Sequence, residues 1–288
     1  MAYAGILCLT LGLALFVIGY SRFLQRHREL QNLLRWASEL VLPLPSPNGL
    51  LEEDYQALLQ AACADRVRLA AENRDRLEDM TDYYTLWAHQ IKPPIAAARL
   101  LLQGDNASNG PELEVELLKI EQYVEMVLGY LRLDSGSTDY VLRDTELDGV
   151  LRQAVRKFAK SFILKKISLD FQETHRTVLT DEKWLLFVVE QVLSNALKYT
   201  PAGGCIRIYE DGETLVIADN GIGIRAEDLP RVFEKGFTGY NGRRDKKSTG
   251  IGLYLCRRVV DRLNHEISIS SRPGQGTLVR LDLSRGIE

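Results

Sequence analysis

The chain has 288 residues, of which 26% are charged and 45% are apolar, and its formal net charge is −3. This length accommodates one or two domains together with a membrane segment. The near-neutral charge argues against a nucleic-acid binder that relies on bulk electrostatic attraction. The cysteines Cys8, Cys63, Cys205 and Cys256 lie far apart and match no zinc or redox spacing. They are interpreted as free thiols in a reducing compartment.

The first 21 residues, MAYAGILCLTLGLALFVIGYS, carry no charged side chain and are long enough to span a bilayer as a helix. Four arginines follow this run, namely Arg22, Arg26, Arg28 and Arg35. The positive-inside rule then predicts a transmembrane helix over 1–21, with its N-terminus outside and the rest of the chain in the cytoplasm, at the inner or plasma membrane. A cleaved signal peptide would carry its positive charge before the apolar run. A buried core helix is the alternative interpretation.

A proline-rich break, VLPLPSPNGL over 41–50, interrupts a juxtamembrane helical linker predicted over 22–64. A long helical stretch follows, with an apolar stripe formed by Leu59, Ala62, Leu69, Leu77, Met80, Tyr84, Trp87 and Ile91. The stripe resembles that of a coiled coil. At 100° per residue, His89 lies about 200° from Trp87 and about 160° from Ile91, so it points away from the stripe.

The turn-forming loop GDNASNGP, residues 104–111, separates this helix from a second one that starts at Pro111 or Glu112. The apolar residues of the second helix share one face, namely Leu113, Leu117, Ile120, Val124, Val127, Leu128 and Leu131. Two helices joined by a short loop form an antiparallel hairpin. Because a single hairpin cannot bury both stripes, residues 65–136 are predicted to form a homodimer in which two hairpins make a four-helix bundle.

The sequence pattern changes from about residue 141. Five segments alternate in the manner of β-strands, namely ISLDF, RIYE, TLVIAD, EISISS and LVRLDL. Two helical runs, 183–199 and 252–264, interrupt them. The sequence therefore predicts an α+β domain over 141–288.

Two adjacent prolines stand inside the first helix of the hairpin, in the stretch WAHQIKPPIAAARLL over 87–101. Each costs roughly 3 kcal/mol, because a backbone donor is lost and the ring clashes with the preceding turn. The lost donors would have bonded the carbonyls of His89 and Gln90. The helix is therefore predicted to bend immediately after a histidine.

Three motifs of the α+β domain suggest a nucleotide site. In IADNGIGI, Asp219 can accept a hydrogen bond from a base amino group, and the glycines at 221 and 223 allow close backbone approach. In STGIGLYL, Gly250 and Gly252 stand at the mouth of a helix, where free amides can bind phosphate. The helix EQVLSNALKYTP presents an amide, a cation and an aromatic ring on or near one face, namely Asn195, Lys198 and Tyr199. Alone, the first motif is also compatible with an ordinary glycine-rich turn, and the second is only suggestive. Core helices rarely present the third set, although a solvated helix end could.

In this order and spacing the motifs resemble the N, G1, F and G2 boxes of bacterial sensor histidine kinases, and WAHQIKPPI resembles the H box that carries the phosphorylated histidine. The resemblance covers roughly residues 65–285. The stretches YYTLWAHQIK and RVFEKGFTGYNGR look most like the bacitracin-sensor, intramembrane-sensing type. The resemblance implies an α/β-sandwich ATP-binding domain of the kind shared with gyrase, Hsp90 and MutL.

The resemblance also implies the role of each matching residue. His89 would attack the γ-phosphate of ATP, with Gln90 and Lys198 as further catalytic residues, and Asn195 and Gln191 would hold Mg²⁺. The nucleotide would be bound by Asn195, Lys198, Tyr199, Asp219, Gly221, Gly223, Phe237, Gly250, Gly252, Leu253 and Thr277. Residues 225–249 would form a lid that is anchored by Phe233 and Phe237 and carries the cations Arg243, Arg244, Lys246 and Lys247. A response regulator and an ABC transporter in the membrane are the implied partners besides the second subunit.

Three positions depart from the pattern of the family. Gln90 stands where an acidic residue commonly acts as general base, and an amide cannot take a proton at neutral pH. Pro93 replaces a polar residue that assists dephosphorylation of the regulator, and Gln191 replaces the first asparagine of the N box. A catalytically weak nucleotide-binding signalling module is therefore the alternative to an active protein histidine kinase. An ATPase of the Hsp90 or MutL kind is disfavoured by the helical hairpin and by the membrane anchor.

Overall fold

The computed structural model describes residues 2–35, 46–47, 49–103, 109–134, 140–239 and 250–284. Two compact units are present, Met1–Asp82 and Tyr83–Glu288. The first unit contains helix α1 (Ala2–Arg35) and the beginning of helix α2 (Leu50–Gln103). Within the described chain, one helix is long and apolar enough to cross a membrane, over Gly5–Asn32 with a mean hydropathy of 1.9. This apolar helix is consistent with a membrane protein.

The second unit starts with a helical hairpin. Helix α2 continues through Pro93 and Pro94 to Gln103, and helix α3 spans Gly110–Asp134. Two contacts fix the antiparallel pairing, because the rings of Tyr83 and Tyr130 stack with centroids 4.2 Å apart and Nε1 of Trp87 donates to the carbonyl of Tyr123 at 2.9 Å. The predicted hairpin is therefore present. The greater part of the predicted loop, residues 104–108, lies outside the described residues.

An α+β domain follows the hairpin, as predicted. Its elements in chain order are β1 (Arg143–Glu146), α4 (Leu147–Lys165), β2 (Ser168–Phe171), β3 (Thr177–Thr180), α5 (Glu182–Tyr199), β4 (Cys205–Asp211), β5 (Thr214–Asp219), a 3₁₀ turn (Leu229–Arg231), α6 (Gly252–Arg262), β6 (Glu266–Arg272) and β7 (Gly276–Asp282). Each of the five predicted strand segments overlaps one of the strands β2, β4, β5, β6 and β7. The sequence pattern did not indicate α4, β1 or β3. The predicted domain limits stay predictions.

The sheet has five strands in the order β2-β4-β5-β7-β6, and β2 and β4 are its parallel pair. In β4 the side chains alternate, since Ile206 and Ile208 are fully buried and Arg207 between them is exposed. Helix α5 packs on α4, α6 and β5. Its buried residues Leu185, Val189, Val192 and Ala196 recur at steps of three and four, which form the core-facing side of an amphipathic helix. The sheet and α5 therefore build the rigid frame of the domain.

A buried carboxylate secures the loop before β3. Asp148 is 1% exposed and accepts hydrogen bonds from the amides of Thr174 and His175 at 2.9 and 2.8 Å. Burial alone would raise the pKa of Asp148, but these bonds and the Thr174 hydroxyl outweigh burial and lower the pKa below its ordinary value. Asp148 is therefore ionised in the folded protein at neutral pH.

Replacing Asp148 with Asn is expected to lower the free energy of unfolding by about 2 kcal/mol at neutral pH, because hydrogen bonds to a charged group contribute about 1.5–3 kcal/mol each. Since the folded pKa lies below the unfolded one, this contribution is present above the unfolded pKa and is lost as pH falls through the folded pKa. Denaturant unfolding of both proteins at neutral and acid pH measures the difference. The control Asp170→Asn, at an exposed position of β2, should leave stability unchanged. A loss of the same size at both pH values would contradict the assignment.

Candidate active site

A cavity of about 660 Å³ lies within the second unit. Its volume is in the range of small-molecule sites, about 300–1,000 Å³. The α+β domain supplies one wall, and helices α2 and α3 of the hairpin supply the other. Most residues that the motifs single out line the cavity, namely Gln90, Asn195, Lys198, Tyr199, Asp219, Gly223, Phe237, Gly250, Gly252, Leu253 and Thr277.

Helix α5 brings the amide, the cation and the ring of the third motif to the cavity. Its N-terminus is capped by Asp181, whose carboxylate accepts from the amides of Lys183 and Trp184 at 3.0 and 3.2 Å. At its last turn, Nζ of Lys198 lies 5.3 Å from the ring centroid of Tyr199, within cation–π range. Asn195, one turn earlier, is half-buried. The buried face of α5 fixes all three side chains at the rim of the core.

Asp219 is the last residue of β5 and provides a carboxylate in the cavity. Its Oδ1 accepts from the amide of Gly221 at 2.8 Å. Burial raises the pKa of this carboxyl above its ordinary value, and the amides of Gly221 and Thr277 offset only part of the rise. The protein therefore holds a poorly solvated acceptor at the end of a central strand. Such a group would gain from a ligand that donates a hydrogen bond.

The glycines of the two loops are required mainly by neighbouring backbone. Gly223 has a φ of +69°, and a Cβ there would lie 2.0 Å from the carbonyl oxygen of Arg272. Gly250 has a φ of +66°, and its Cβ would lie 2.5 Å from the carbonyl oxygen of Phe237. A side chain is excluded at both positions on steric grounds and by the left-handed backbone. The neighbouring backbone therefore requires glycine at both positions, independently of any close approach of a ligand.

The N-terminus of α6 opens into the cavity, where Gly252 and Leu253 form part of the lining. The first amides of a helix have no partner within the helix, and together with the helix dipole they favour an anion. Gln191 of α5 lies just behind this point. It is 5% exposed, and a Cβ at Gly252 would lie 2.9 Å from its Oε1.

The wall formed by the hairpin combines residues of the stretch WAHQIKPPI with residues that no motif indicates. Gln90, Pro93, Pro94 and Ala97 of α2 lie at steps of three and four, so they share one helical face. Helix α3 adds Lys119, Gln122 and Tyr123 among others. No local pattern predicts these α3 residues, because their place in the cavity depends on how the α+β domain docks on the hairpin.

His89 is exposed on α2, as its helical position predicts. At 100° per residue it lies about 40° from Pro93 around the helix axis, at the edge of the face that lines the cavity. Among the described residues, His89, Gly221 and Gln191 are predicted site residues that do not line the cavity. The predicted lid cations Arg243, Arg244, Lys246 and Lys247 lie outside the described residues.

An ion-pair network ties the α+β domain to the hairpin. Nζ of Lys157 in α4 lies 2.8 Å from a carboxylate oxygen of Glu125 in α3 and 2.6 Å from one of Glu190 in α5. Burial raises the pKa of Glu190, which is 5% exposed. Burial lowers the pKa of Lys157, but its two carboxylate partners outweigh burial and leave that pKa raised. About three turns earlier on α3, Glu114 pairs with Lys160 of α4.

The cavity fits a nucleotide on several counts. It is large enough, it combines helix-terminal amides with Lys198 for phosphate, and it holds the Asp219 carboxylate together with apolar side chains such as Ile217 and Val279 for a base. Over the ranges that the structure describes, no group of three or more His, Cys, Asp or Glu side chains that could hold a metal ion is found. An Mg²⁺ ion would find the amide oxygen of Asn195, a hard ligand that this ion accepts.

Comparison with known proteins agrees with this site. The family of histidine kinase-, DNA gyrase B- and HSP90-like ATPases matches residues 180–287. The chain is 31% identical to the sensor protein BceS of Bacillus subtilis, over 80% of this chain and 71% of that protein. It is also 35% identical to the sensor histidine kinase YxdK of Bacillus subtilis, over 73% of this chain and 66% of that protein, and 37% identical to BceS of Halalkalibacterium halodurans, over 71% and 63%.

Among solved structures, the chain is similar to the histidine kinase AdeS of Acinetobacter baumannii, with 19% identity and a TM-score of 0.46 over 68% of this chain and 98% of that chain. The chain spans 66% and 63% of the length of YxdK and of the Halalkalibacterium BceS.

The matched part of the chain is an ATP-binding domain. The chain as a whole belongs to the sensor histidine kinases, in the group that contains the bacitracin sensors.

Replacing Asp219 with Asn is expected to weaken ATP binding by about tenfold or more, because loss of a charged acceptor costs about 1.5–3 kcal/mol and 1.4 kcal/mol is a factor of ten. The same change removes a carboxylate whose raised pKa makes its ionisation unfavourable in the fold, so stability at neutral pH should not fall. Wild-type affinity should decline as pH falls through this raised pKa, and the variant should lack that step. Calorimetric titration with ATP across pH measures both effects.

The matched control for this measurement is Asp148→Asn, which also removes a buried carboxylate of the same domain. It should reduce stability and leave ATP affinity unchanged. Equal ATP affinity in Asp219→Asn and wild type would contradict the role of Asp219.

Proposed function

We propose that this chain is an active protein histidine kinase, which phosphorylates its own His89 from ATP and passes the phosphoryl group to an aspartate of a response regulator. The observation that carries the proposal is the composition of the cavity. Its walls combine Asn195 and Asp219 of the ATP-binding domain with Gln90, the residue that follows His89 on α2. An exposed histidine thus stands beside a nucleotide site within one compact unit.

The side chains of the domain have distinct tasks in this proposal. Mg²⁺-bound ATP supplies the phosphoryl group. Asn195 holds the metal ion through its amide oxygen, and Lys198 and the amides at the start of α6 neutralise phosphate charge. Asp219 accepts from the base, and Tyr199 lies against the nucleotide. Positioning and electrostatic stabilisation account for most of the rate in phosphoryl transfer.

His89 needs no strong base beside it. A neutral imidazole nitrogen carries a lone pair and is nucleophilic without prior deprotonation. Gln90 cannot accept the proton, but its amide can bond and orient a neighbouring group. Gln90 is half-buried and lines the cavity, whereas His89 is exposed. These placements support a positioning role for Gln90 and favour the active kinase over the weak signalling module.

Exposed apolar surfaces and the family of the chain support the proposed partners. Leu117, Val124 and Leu128 of α3 are 46%, 40% and 45% exposed in the single chain, and such a stripe is covered when two hairpins pair into a four-helix bundle. The proposal therefore includes a homodimer, and an ABC transporter in the same membrane is proposed as a further partner. The basic residues after the apolar part of α1 support a cytoplasmic catalytic part at the inner or plasma membrane.

The test is phosphorylation of the full chain with γ-labelled ATP. His89→Gln should eliminate acid-labile label on the protein and leave ATP affinity unchanged, because acceptor and nucleotide are held by different elements. Asn195→Ala should also abolish the label, since metal binding and not the core depends on this half-buried amide. The control His27→Gln, at another exposed helical histidine, should be labelled like wild type. Label that persists in His89→Gln would contradict the proposal.

The ion pair between hairpin and domain predicts a second effect. Glu125→Gln should slow phosphohistidine formation by about two- to fivefold at saturating ATP, because exposed ion pairs contribute about 0.2–1 kcal/mol. ATP affinity should not change, since Glu190 keeps Lys157 in place. The control Glu121→Gln removes an exposed carboxylate one turn earlier on α3 and should be neutral. Equal rates in the two variants would show that this contact does not hold the transfer geometry.

A further inference from the structure

The cavity and its acceptor belong to one chain, and from this we infer that phosphoryl transfer occurs within a single subunit, from the nucleotide site of one chain to His89 of the same chain. The inference rests on the proposed function and states which copy of the histidine in a dimer is the substrate. In the step itself, a ring nitrogen of His89 bonds to the γ-phosphorus while the bond from that phosphorus to the β–γ bridging oxygen breaks. ADP leaves with the electron pair, and the ring proton passes to solvent.

The first support is the α2 face that lines the cavity. Gln90, Pro93, Pro94 and Ala97 come from the same chain as Asn195 and Asp219. Pro94 is buried, and Gln90 and Ala97 beside it are half-buried. His89 precedes Gln90 directly, with Cα atoms about 3.8 Å apart. The acceptor that lies beside this nucleotide site is therefore the histidine of the same chain.

The second support is the extent of the docking between domain and hairpin. Contacts with α3 begin at Glu114, which pairs with Lys160. They end at Leu133, whose carbonyl accepts from Nη2 of Arg262 at 2.8 Å. At 1.5 Å per residue these ends are about 28 Å apart. The domain therefore contacts α3 along nearly its whole length, and in this arrangement its cavity is lined by residues of α2 and α3 of the same chain.

The third support comes from Lys235, which belongs to the segment predicted to form the lid, residues 225–249. Nζ of Lys235 donates to the hydroxyl of Tyr130 at 3.2 Å and lies 5.4 Å from the centroid of the same ring. Tyr130 is 6% exposed and stacks on Tyr83 of α2. Lys235 is thus in contact with α3 of its own hairpin, at a tyrosine whose ring stacks on α2. This contact aligns the cavity with the helix that carries His89.

Mixed dimers of the full chain test the inference. Two differently tagged copies are co-expressed, purified in nanodiscs by two successive affinity steps, and incubated with γ-labelled ATP. In the first mixed dimer, one copy is wild type and the other is His89→Gln, Asn195→Ala. In the second, one copy carries only His89→Gln and the other only Asn195→Ala. Each contains one intact histidine and one intact nucleotide site, which lie in the same chain in the first dimer and in different chains in the second.

Transfer within one subunit predicts about half the wild-type label in the first mixed dimer, all of it on the wild-type copy, because one of two subunits is competent. The second mixed dimer should remain unlabelled. Label in the second mixed dimer and none in the first would overturn the inference in favour of transfer between subunits. Label in neither mixed dimer would also overturn it, because both copies would then have to be intact. The wild-type dimer in the same assay tests the proposed function separately, since absence of label there overturns that function itself.

Discussion

Lys157 is shared between two carboxylates, and the arrangement of the second unit depends on this sharing. One partner, Glu190, is buried in the helix that carries Asn195, and the other, Glu125, belongs to the hairpin. A buried carboxylate without a counter-charge would cost several kcal/mol, so α4 must keep its lysine beside α5. The same ammonium group then reaches α3. The position of α5 is thereby coupled to the helical hairpin.

This coupling explains why the site has two walls of different origin. The α+β domain offers amides, a cation and a carboxylate that suit a nucleotide, and the hairpin offers a helical face beside an exposed histidine. Neither part contains a complete site for phosphoryl transfer. Docking along α3 through Lys157, Lys160, Lys235 and Arg262 brings the two parts together. These contacts are mostly polar and partly exposed, so each contributes modestly to the docking.

Local patterns predicted much of the fold and many of the residues that line the candidate site. A periodicity or a turn signal within about ten residues identifies the strand TLVIAD, the helix that ends at Tyr199 and the glycine turns. Asp219, Lys198 and Gly250 could therefore be assigned to these elements from the sequence. Helix α4 was missed although its buried residues Leu151, Ala154, Phe158 and Phe162 recur at helical steps. The α3 part of the hairpin wall could not be predicted, because Tyr123 and Asn195 line the same cavity only through tertiary docking. The interpretation of Gly223 was incomplete for the same reason, since the carbonyl that excludes its side chain belongs to Arg272, which is remote in sequence.

His89, the exposed histidine beside the shared cavity, is proposed as the phosphoryl acceptor. The chain has four histidines, so the modified position can be identified directly. The full chain is incubated with Mg²⁺ and ATP, digested at neutral pH to preserve phosphohistidine, and analysed by tandem mass spectrometry. Phosphorylation is expected at His89, with His27, His175 and His265 unmodified. A phosphoryl group on any of those three, or rapid release of free phosphate with His89 unmodified throughout, would contradict this expectation.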